Sequence, residues 1–88
     1  MLGLVPAAGI VGGMRKKLKK KLVSTLAVNV KRLRQTKGMT QHDLALEANI
    51  RQALVSEIEK GVANPTVGTI AKLAAALDVK PVDLFSET

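Results

Sequence analysis

Two short helical patterns joined by a very short break constrain this chain more than any other feature of its sequence. Residues 40–61, TQHDLALEANIRQALVSEIEKG, predict one helix from Gln41 to about Ala48 and another over about residues 52–60. Between them, Asn49 readily takes the left-handed conformation that ends a helix and turns the chain. We therefore expect two helices packed at a fixed angle, with the second one protruding from the body.

Local signals support both helices and give the second one two chemically different sides. Thr40 is a candidate N-cap, and Asp43 completes an acidic variant of the capping box. The small Ala45 allows the second helix to approach closely, and Val55 and Ile58 face inward. The outward side consists of Gln52, Ala53, Ser56, Glu57 and Lys60. Because an α-helix fits the DNA major groove and glutamine can pair with adenine through two hydrogen bonds, this side is suited to reading base edges.

A first helix is predicted over about residues 25–37. Its apolar positions recur at helical spacing and are Leu26, Val30 and Leu33. Gly38 follows as a helix terminator. Leu18 and Leu22 continue the stripe backwards, but the crowded cations of residues 15–21 oppose an earlier start unless a polyanion neutralises them.

Two more helices are predicted in the last part of the chain. Thr66 is a candidate N-cap for a fourth helix over residues 67–78. Its inward side is expected to be Val67, Ile70, Leu73, Ala74 and Leu77. Pro81 suits the first turn of a short fifth helix. That helix closes the core with Val82, Leu84 and Phe85. The expected fold class is therefore all-α, a compact five-helix domain over residues 25–88.

Composition excludes several classes of site. The chain of 88 residues supports one small domain, and Phe85 is its only aromatic residue, so the core must be aliphatic. It has no cysteine, which excludes disulfides and thiolate metal sites. His42 is the only histidine and is expected to be an exposed polar residue in the first turn of a helix. No catalytic or metal-ligand spacing is visible, so we expect neither an enzyme nor a cofactor.

The charge is concentrated before the helical domain. Residues 1–13 are apolar with one proline and four glycines, and we expect a disordered leader that is not native or reflects an upstream start, since Met14 follows directly. Residues 14–24 form a basic arm whose RKKLKKK run carries six cations, whereas residues 25–88 carry eight basic and seven acidic side chains. Such an arm attracts nucleic acid or an anionic membrane surface, or serves as a solvated linker.

From about residue 25 to residue 86 the sequence resembles the lambda-repressor and Cro type of helix-turn-helix domain, also called Xre-like. The resemblance is carried by Gln41, Ala45, Asn49, Val55, Ile58, the IEKG ending, NPT before the fourth helix and LF near the end. It implies the five-helix lambda-repressor-like fold and a cytoplasmic, sequence-specific regulator of transcription. Such a protein acts as a dimeric repressor on double-stranded DNA, with half-sites about one helical turn apart.

The resemblance also implies roles for single residues. Gln41 would bind a DNA phosphate and brace the reading helix, and Arg34 and Glu59 match an ion pair between the first and third helices. Base edges or the adjoining backbone would be faced by Gln52, Ala53, Ser56 and Glu57. Arg51 replaces the usual Ser or Thr cap and gains reach to phosphate, while Leu54 replaces a commonly polar residue and either packs inside or touches a thymine methyl.

Two questions stay open at the level of the sequence. The dimer interface is expected at the end of the domain, since no separate dimerisation domain follows. Its candidate residues, which could equally be core, are Leu77, Val79, Val82 and Phe85.

The competing function is that of a protein-interaction module, such as an antitoxin bound to a toxin. In a third possible function, residues 2–22 bind an anionic membrane. This function has the least support because Pro6 and the glycines disfavour a helix, so no membrane partner is expected.

Overall fold

The computed structural model describes residues 8–87, with side chains from residue 13 onward. Over this range the chain has four α-helices, one 3-10 helix and no strand. The elements are α1 (Ala8–Thr36), α2 (Gln41–Ala48), α3 (Gln52–Glu59), α4 (Val67–Leu77) and the 3-10 helix Pro81–Phe85. The all-α class is confirmed, although the fifth element is a 3-10 helix and not an α-helix. Part of the expected leader, residues 1–7, lies outside the described residues.

The capping signals before α2 act as predicted. The Thr40 hydroxyl accepts from the Asp43 N–H at 3.0 Å, and an Asp43 carboxylate oxygen accepts from the Thr40 N–H at 2.9 Å. The hydrogen bond from the Thr40 backbone lowers the pKa of the Asp43 carboxyl, helped by the bond to the Thr40 side chain. At the other end, Asn49 takes φ 56° and ψ 49°, and the Ile50 N–H bonds back to Ala45. The tight turn between α2 and α3 is therefore encoded locally.

The start of α1 differs from the prediction. The helix begins at Ala8 and not near residue 25, so the basic arm over residues 14–24 is helical and continuous with the body. Lysine, arginine and leucine are good helix formers, and each added residue gains one backbone hydrogen bond once the packed part of the helix has formed. Repulsion between exposed cations costs only a few tenths of a kcal/mol per pair, which is too little to stop this propagation.

The core lies between α1, α2, α3, α4 and the 3-10 helix, where α2 packs on α3 and α4, and α1 packs on α3 and the 3-10 helix. Its most buried large side chains are Val30, Leu44, Val55, Ile58, Leu73, Leu77 and Leu84. The predicted burial of two residues in the core is wrong. Val67 is 87% exposed because it opens the first turn of α4 and borders an unfilled groove, and Val82 is 66% exposed on the outer side of the 3-10 helix.

Asn29 ties α1 to the end of the domain. Its side-chain amide is buried and donates to the carbonyl oxygens of Leu84 and Ser86, both at 2.9 Å. A buried amide is costly unless its hydrogen bonds are made, and these two bonds hold the 3-10 helix against α1. The 3-10 helix thereby packs against both α1 and α4.

Candidate nucleic-acid interface

Helix α3 is anchored by one side and presents the other to solvent. Val55 and Ile58 are 0% and 1% exposed and pack into the core against α1 and α2. The opposite side leaves Gln52, Ala53, Glu57 and Lys60 exposed and Ser56 half-buried. The structure therefore brings five of the predicted contact residues together on one accessible surface, which we call the α3 face.

A buried ion pair sets the position of α3 relative to α1. The Arg34 guanidinium donates to the two Glu59 carboxylate oxygens at 2.6 Å and 2.9 Å, and donates to the Met39 carbonyl at 2.8 Å. The two side chains are 10% and 4% exposed. The hydrogen bond to Glu59 raises the pKa of Arg34, against the opposing effect of burial. The predicted pair between these helices is confirmed, and its two parallel bonds fix orientation as well as distance.

Gln41 joins the same cluster. Its side-chain amide, at the first position of α2, donates to a Glu59 carboxylate oxygen at 3.1 Å. The first residue of α2 and the last residue of α3 are therefore linked directly. This contact holds the start of α2 against the end of α3. Gln41 itself is half-buried, whereas Thr40 and His42 on either side of it are exposed.

A contact that the sequence did not indicate lies at the start of α3. His42 Nδ1 is 3.3 Å from the Gln52 side-chain oxygen, and both residues are exposed. The tight turn at Asn49 causes this proximity, because it places the first turn of α2 beside the first turn of α3. His42 is thus within hydrogen-bond distance of a side chain on the α3 face.

Arg51 and Leu54 depart from the family pattern, and the structure gives their side chains different surroundings. Arg51 occupies the N-cap position of α3 without a side-chain cap bond, as its residue type predicts, and its side chain is exposed. Leu54 is half-buried and packs against the core. The packing interpretation of Leu54 therefore accounts for its contacts, whereas Arg51 remains available to an anion beside the α3 face.

The basic arm lies beside the loop that follows the C-terminal end of α3. A groove of about 370 Å³ separates Lys16, Lys19 and Lys20 of α1 from the loop Gly61–Asn64. Gly61 has φ +74°, and a side chain there would meet Val23 at 4.0 Å. Three cations of α1 therefore extend the surface that includes the end of α3.

Two kinds of site are absent from the described residues. Over residues 8–87 no cluster of three His, Asp or Glu side chains could hold a metal ion. Within the same range no helix combines the length and the apolar character needed to cross a bilayer. What the α3 face does offer is an amide, a hydroxyl, a carboxylate and flanking cations on one rigid helix.

Comparison with known proteins places this arrangement in a family. Residues 30–84 match a family model described as helix-turn-helix, HTH_3. The chain belongs to this Xre-like helix-turn-helix family. Over 60 residues, 68% of this chain and 78% of the relative, it is 42% identical to the uncharacterized HTH-type transcriptional regulator y4dJ of Sinorhizobium fredii. It is 37% identical over 60 residues to the control protein C.BamHI of Bacillus amyloliquefaciens, covering 67% and 74% of the two chains.

Solved structures of this helix-turn-helix family have the same arrangement of helices. The restriction-modification controller protein C.AhdI of Aeromonas hydrophila superposes with a TM-score of 0.70 at 33% identity, over 72% of this chain and 96% of that one. The hypothetical transcription factor NHTF from Neisseria gives a TM-score of 0.72 at 33% identity, over 76% and 75% of the two chains. The assignment to the lambda-repressor and Cro type is therefore confirmed.

Proposed function

We propose that the protein is a sequence-specific DNA-binding regulator of transcription that reads the major groove with α3. The observation that carries this proposal is the geometry of α3, whose inner side is fixed by the core and by the Arg34–Glu59 pair while its polar side stays in solvent. An α-helix presented in this way fits the major groove, where each base pair shows a distinct pattern of donors and acceptors. The similarity to proteins named as transcriptional regulators and control proteins supports the same function.

Each residue of the α3 face has a proposed task. Gln52 reads a base, with adenine as its best partner because an amide can both donate to N7 and accept from N6. Ser56 and Glu57 face neighbouring base edges, with Glu57 suited to accept from a cytosine amino group. Arg51 and Lys60 contact phosphates at either end. Gln41 and the N-terminal backbone of α2 bind another phosphate, where the helix dipole favours an anion.

We further propose a cytoplasmic homodimer that represses by occupying an operator. One recognition helix reads few base pairs, so two copies on half-sites about 34–36 Å apart give the required specificity. Of the interface residues predicted from the sequence, Leu77 is buried in the core and Val79 and Phe85 pack against it. Val82 is 66% exposed and is therefore the member available to a second copy.

The test combines selection and mutation. Bound DNA is selected from a random pool, and the selected site and a random duplex are titrated at several salt concentrations. We expect Gln52→Ala to lower the preference for the selected site by about 1–3 kcal/mol, because one base contact is lost. Gln35→Ala, an exposed glutamine on α1, is the matched control and should change neither affinity. Equal weakening on both duplexes by Gln52→Ala would refute base reading.

A further inference from the structure

The basic part of α1 carries an apolar stripe that its charge does not explain. Met14, Leu18 and Leu22 are spaced four residues apart and are 52%, 56% and 49% exposed. Residues at this spacing lie on one side of a helix. A helix whose only role was to hold cations in solvent would not need a row of large apolar side chains. We therefore expect a partner to cover this side of α1.

Leu18 and Leu22 of this stripe line one wall of a groove, which we call the α1–α4 groove. Its second wall belongs to the body and consists of Pro65, Val67, Ile70 and Phe85. The groove encloses about 510 Å³, and Leu26 closes its inner end on α1. Arg15 and Leu26 mark its two ends on α1. This segment of twelve residues extends about 16 Å between its first and last residue, or three helical turns, at 1.5 Å per residue.

The charge around the α1–α4 groove has a single sign. Arg15 and Lys19 line it, and none of its lining residues is Asp or Glu. Residues 15–21 as a whole carry six cations and no acid. Among residues 13–87, an acid that pairs with this part of α1 is Glu87, which lies 3.3 Å from Lys21 with both side chains well exposed. An occupant that neutralises this rim must therefore be acidic.

We propose that the α1–α4 groove binds an acidic amphipathic helix of a partner protein. The apolar side of that helix packs between Leu18, Leu22 and Val67, in the manner of other helix-in-groove complexes, with anchors at i, i+3, i+4 and i+7. Its flanking Asp or Glu side chains lie against Arg15 and Lys19, which supplies charge complementarity at the rim.

Each of the other possible occupants fails to complement either the cations or the apolar walls of this groove. A second copy of the chain would bring the same basic segment against residues 15–21, with like charges opposed. Nucleic acid satisfies the cations but offers no apolar side for Leu18 and Leu22. A lipid surface is flat, whereas the apolar walls are recessed between α1 and α4. An acidic helix alone supplies both an apolar ridge that enters the groove and negative flanks.

This binding mode is compatible with DNA binding and does not depend on it. Lys16 and Lys20 lie on the other groove of α1, beside the loop Gly61–Asn64 at the end of α3. Leu18 and Leu22 lie on the α1–α4 groove. Lys19 borders both grooves, but Lys16 and Lys20 border only the groove beside the loop, and Leu18 and Leu22 border only the α1–α4 groove. Substitutions in these two sets of residues therefore separate failure of the DNA interaction from failure of the partner interaction.

The probe is a fluorescein-labelled synthetic helix with leucine at i, i+3, i+4 and i+7 and glutamate at most other positions, about 18 residues long. Its binding to the full chain is followed by anisotropy at physiological salt. We expect Leu18→Glu to raise the Kd at least about tenfold, because it removes an anchor and places an acid in the groove. Val28→Glu is the matched control. It makes the same charge change on α1 at a residue that is 65% exposed and outside the groove, and should keep the Kd within roughly twofold.

Two further peptides and two assays complete the test. A peptide of the same composition with its leucines dispersed around the helix should bind at least about tenfold more weakly, and one with lysine in place of glutamate should not bind. Circular dichroism of both variants verifies folding. Equal binding by the dispersed peptide, or equal weakening by Leu18→Glu and Val28→Glu, would overturn the proposal. It would also be overturned if Leu18→Glu selectively abolished self-association in sedimentation, or selectively abolished binding to phosphatidylserine vesicles, without changing peptide affinity.

Discussion

The imidazole of His42 and the amide of Gln52 lie 3.3 Å apart, although ten residues separate them in the sequence. The residue type of His42 predicted only an exposed polar side chain, and it is exposed. Its contact arises because the turn at Asn49 brings the first turns of α2 and α3 together. A free glutamine side chain populates many rotamers, and holding it in one of them costs rotamer entropy of about 1–2 kcal/mol. A neighbour that restrains Gln52 before binding reduces that cost.

We predict that His42→Ala weakens the preference for the selected DNA through Gln52. The expected loss is about 0.5–1.5 kcal/mol, the net value of a typical hydrogen bond. The measurement is a double-mutant cycle with His42→Ala and Gln52→Ala on the selected and random duplexes. Because His42 acts on bases only through Gln52, the double variant should resemble Gln52→Ala alone. Additive losses would show that His42 contacts DNA independently.

At the level of elements, α3 is positioned by groups that belong to three helices. Arg34 of α1, Gln41 of α2 and Glu59 of α3 share one buried cluster. Taking two charges out of water is costly, and the cost is recovered only when both partners are present with good geometry. The cluster therefore sets the tilt of α3 more than it raises the stability of the fold.

Removing one partner of the Arg34–Glu59 pair should be worse than removing both. We expect Glu59→Ala to lower the free energy of unfolding by about 3–5 kcal/mol, because it leaves a buried guanidinium without its carboxylate. The combined change Arg34→Met and Glu59→Leu should cost less, since no unpaired charge remains. Urea denaturation measures both. Glu57→Ala, at an exposed position on the same helix, is the control and should stay within about 0.5 kcal/mol.

The basic part of α1 should add affinity without adding specificity. Lys16 and Lys20 lie beside the loop that follows α3. Replacing both with Gln should weaken selected and random DNA equally and reduce the slope of log Kd against log salt by about one per lost phosphate contact. Lys72→Gln with Lys80→Gln makes the same charge change at exposed positions on α4 and before the 3-10 helix. If both pairs lowered the slope alike, net charge alone would be responsible.

At the level of the whole molecule, the domain is 46 Å long and 23 Å across. The length comes from α1, whose 29 residues extend roughly 43 Å. The C-terminal half of α1 packs in the body, and its N-terminal half borders both the groove beside α3 and the α1–α4 groove. One helix thereby links the proposed DNA-reading side of the domain to the proposed partner site.

Closure of the domain depends on Asn29. We expect Asn29→Ala to lower the free energy of unfolding by about 1–3 kcal/mol, because the buried Leu84 carbonyl loses its donor. Amide hydrogen exchange should show the loss first in the 3-10 helix, which this side chain holds against α1. Gln35→Ala removes an exposed amide from the same helix and should leave both stability and exchange unchanged. Uniformly faster exchange with no local effect would contradict the proposed tie.

Much of the candidate site follows from local sequence. The capping box at Thr40 and Asp43 and the left-handed turn at Asn49 depend on residues within a few positions of one another, so their chemistry fixes the α2–α3 unit. The inward spacing of Val55 and Ile58 then determines which side of α3 is exposed. For this reason the polar face of α3 could be predicted from local sequence, whereas the Arg34–Glu59 pair, which joins residues distant in the sequence, was implied only by the family resemblance.

The remaining features depend on contacts between residues that are distant in the sequence. The His42–Gln52 and Asn29–Leu84 bonds exist only after the helices have packed, and no local pattern marks either pair. In the sequence, Val67 and Leu18 have the pattern of ordinary apolar helix residues. Only the packing of α1 against α4 places them along an open groove. The sequence by itself determined α2, α3, α4 and the turn at Asn49, because those depend on neighbouring residues, and its motifs over residues 25–86 carried the family resemblance. The tertiary structure decided which side chains hold the reading helix and where an apolar surface remains uncovered.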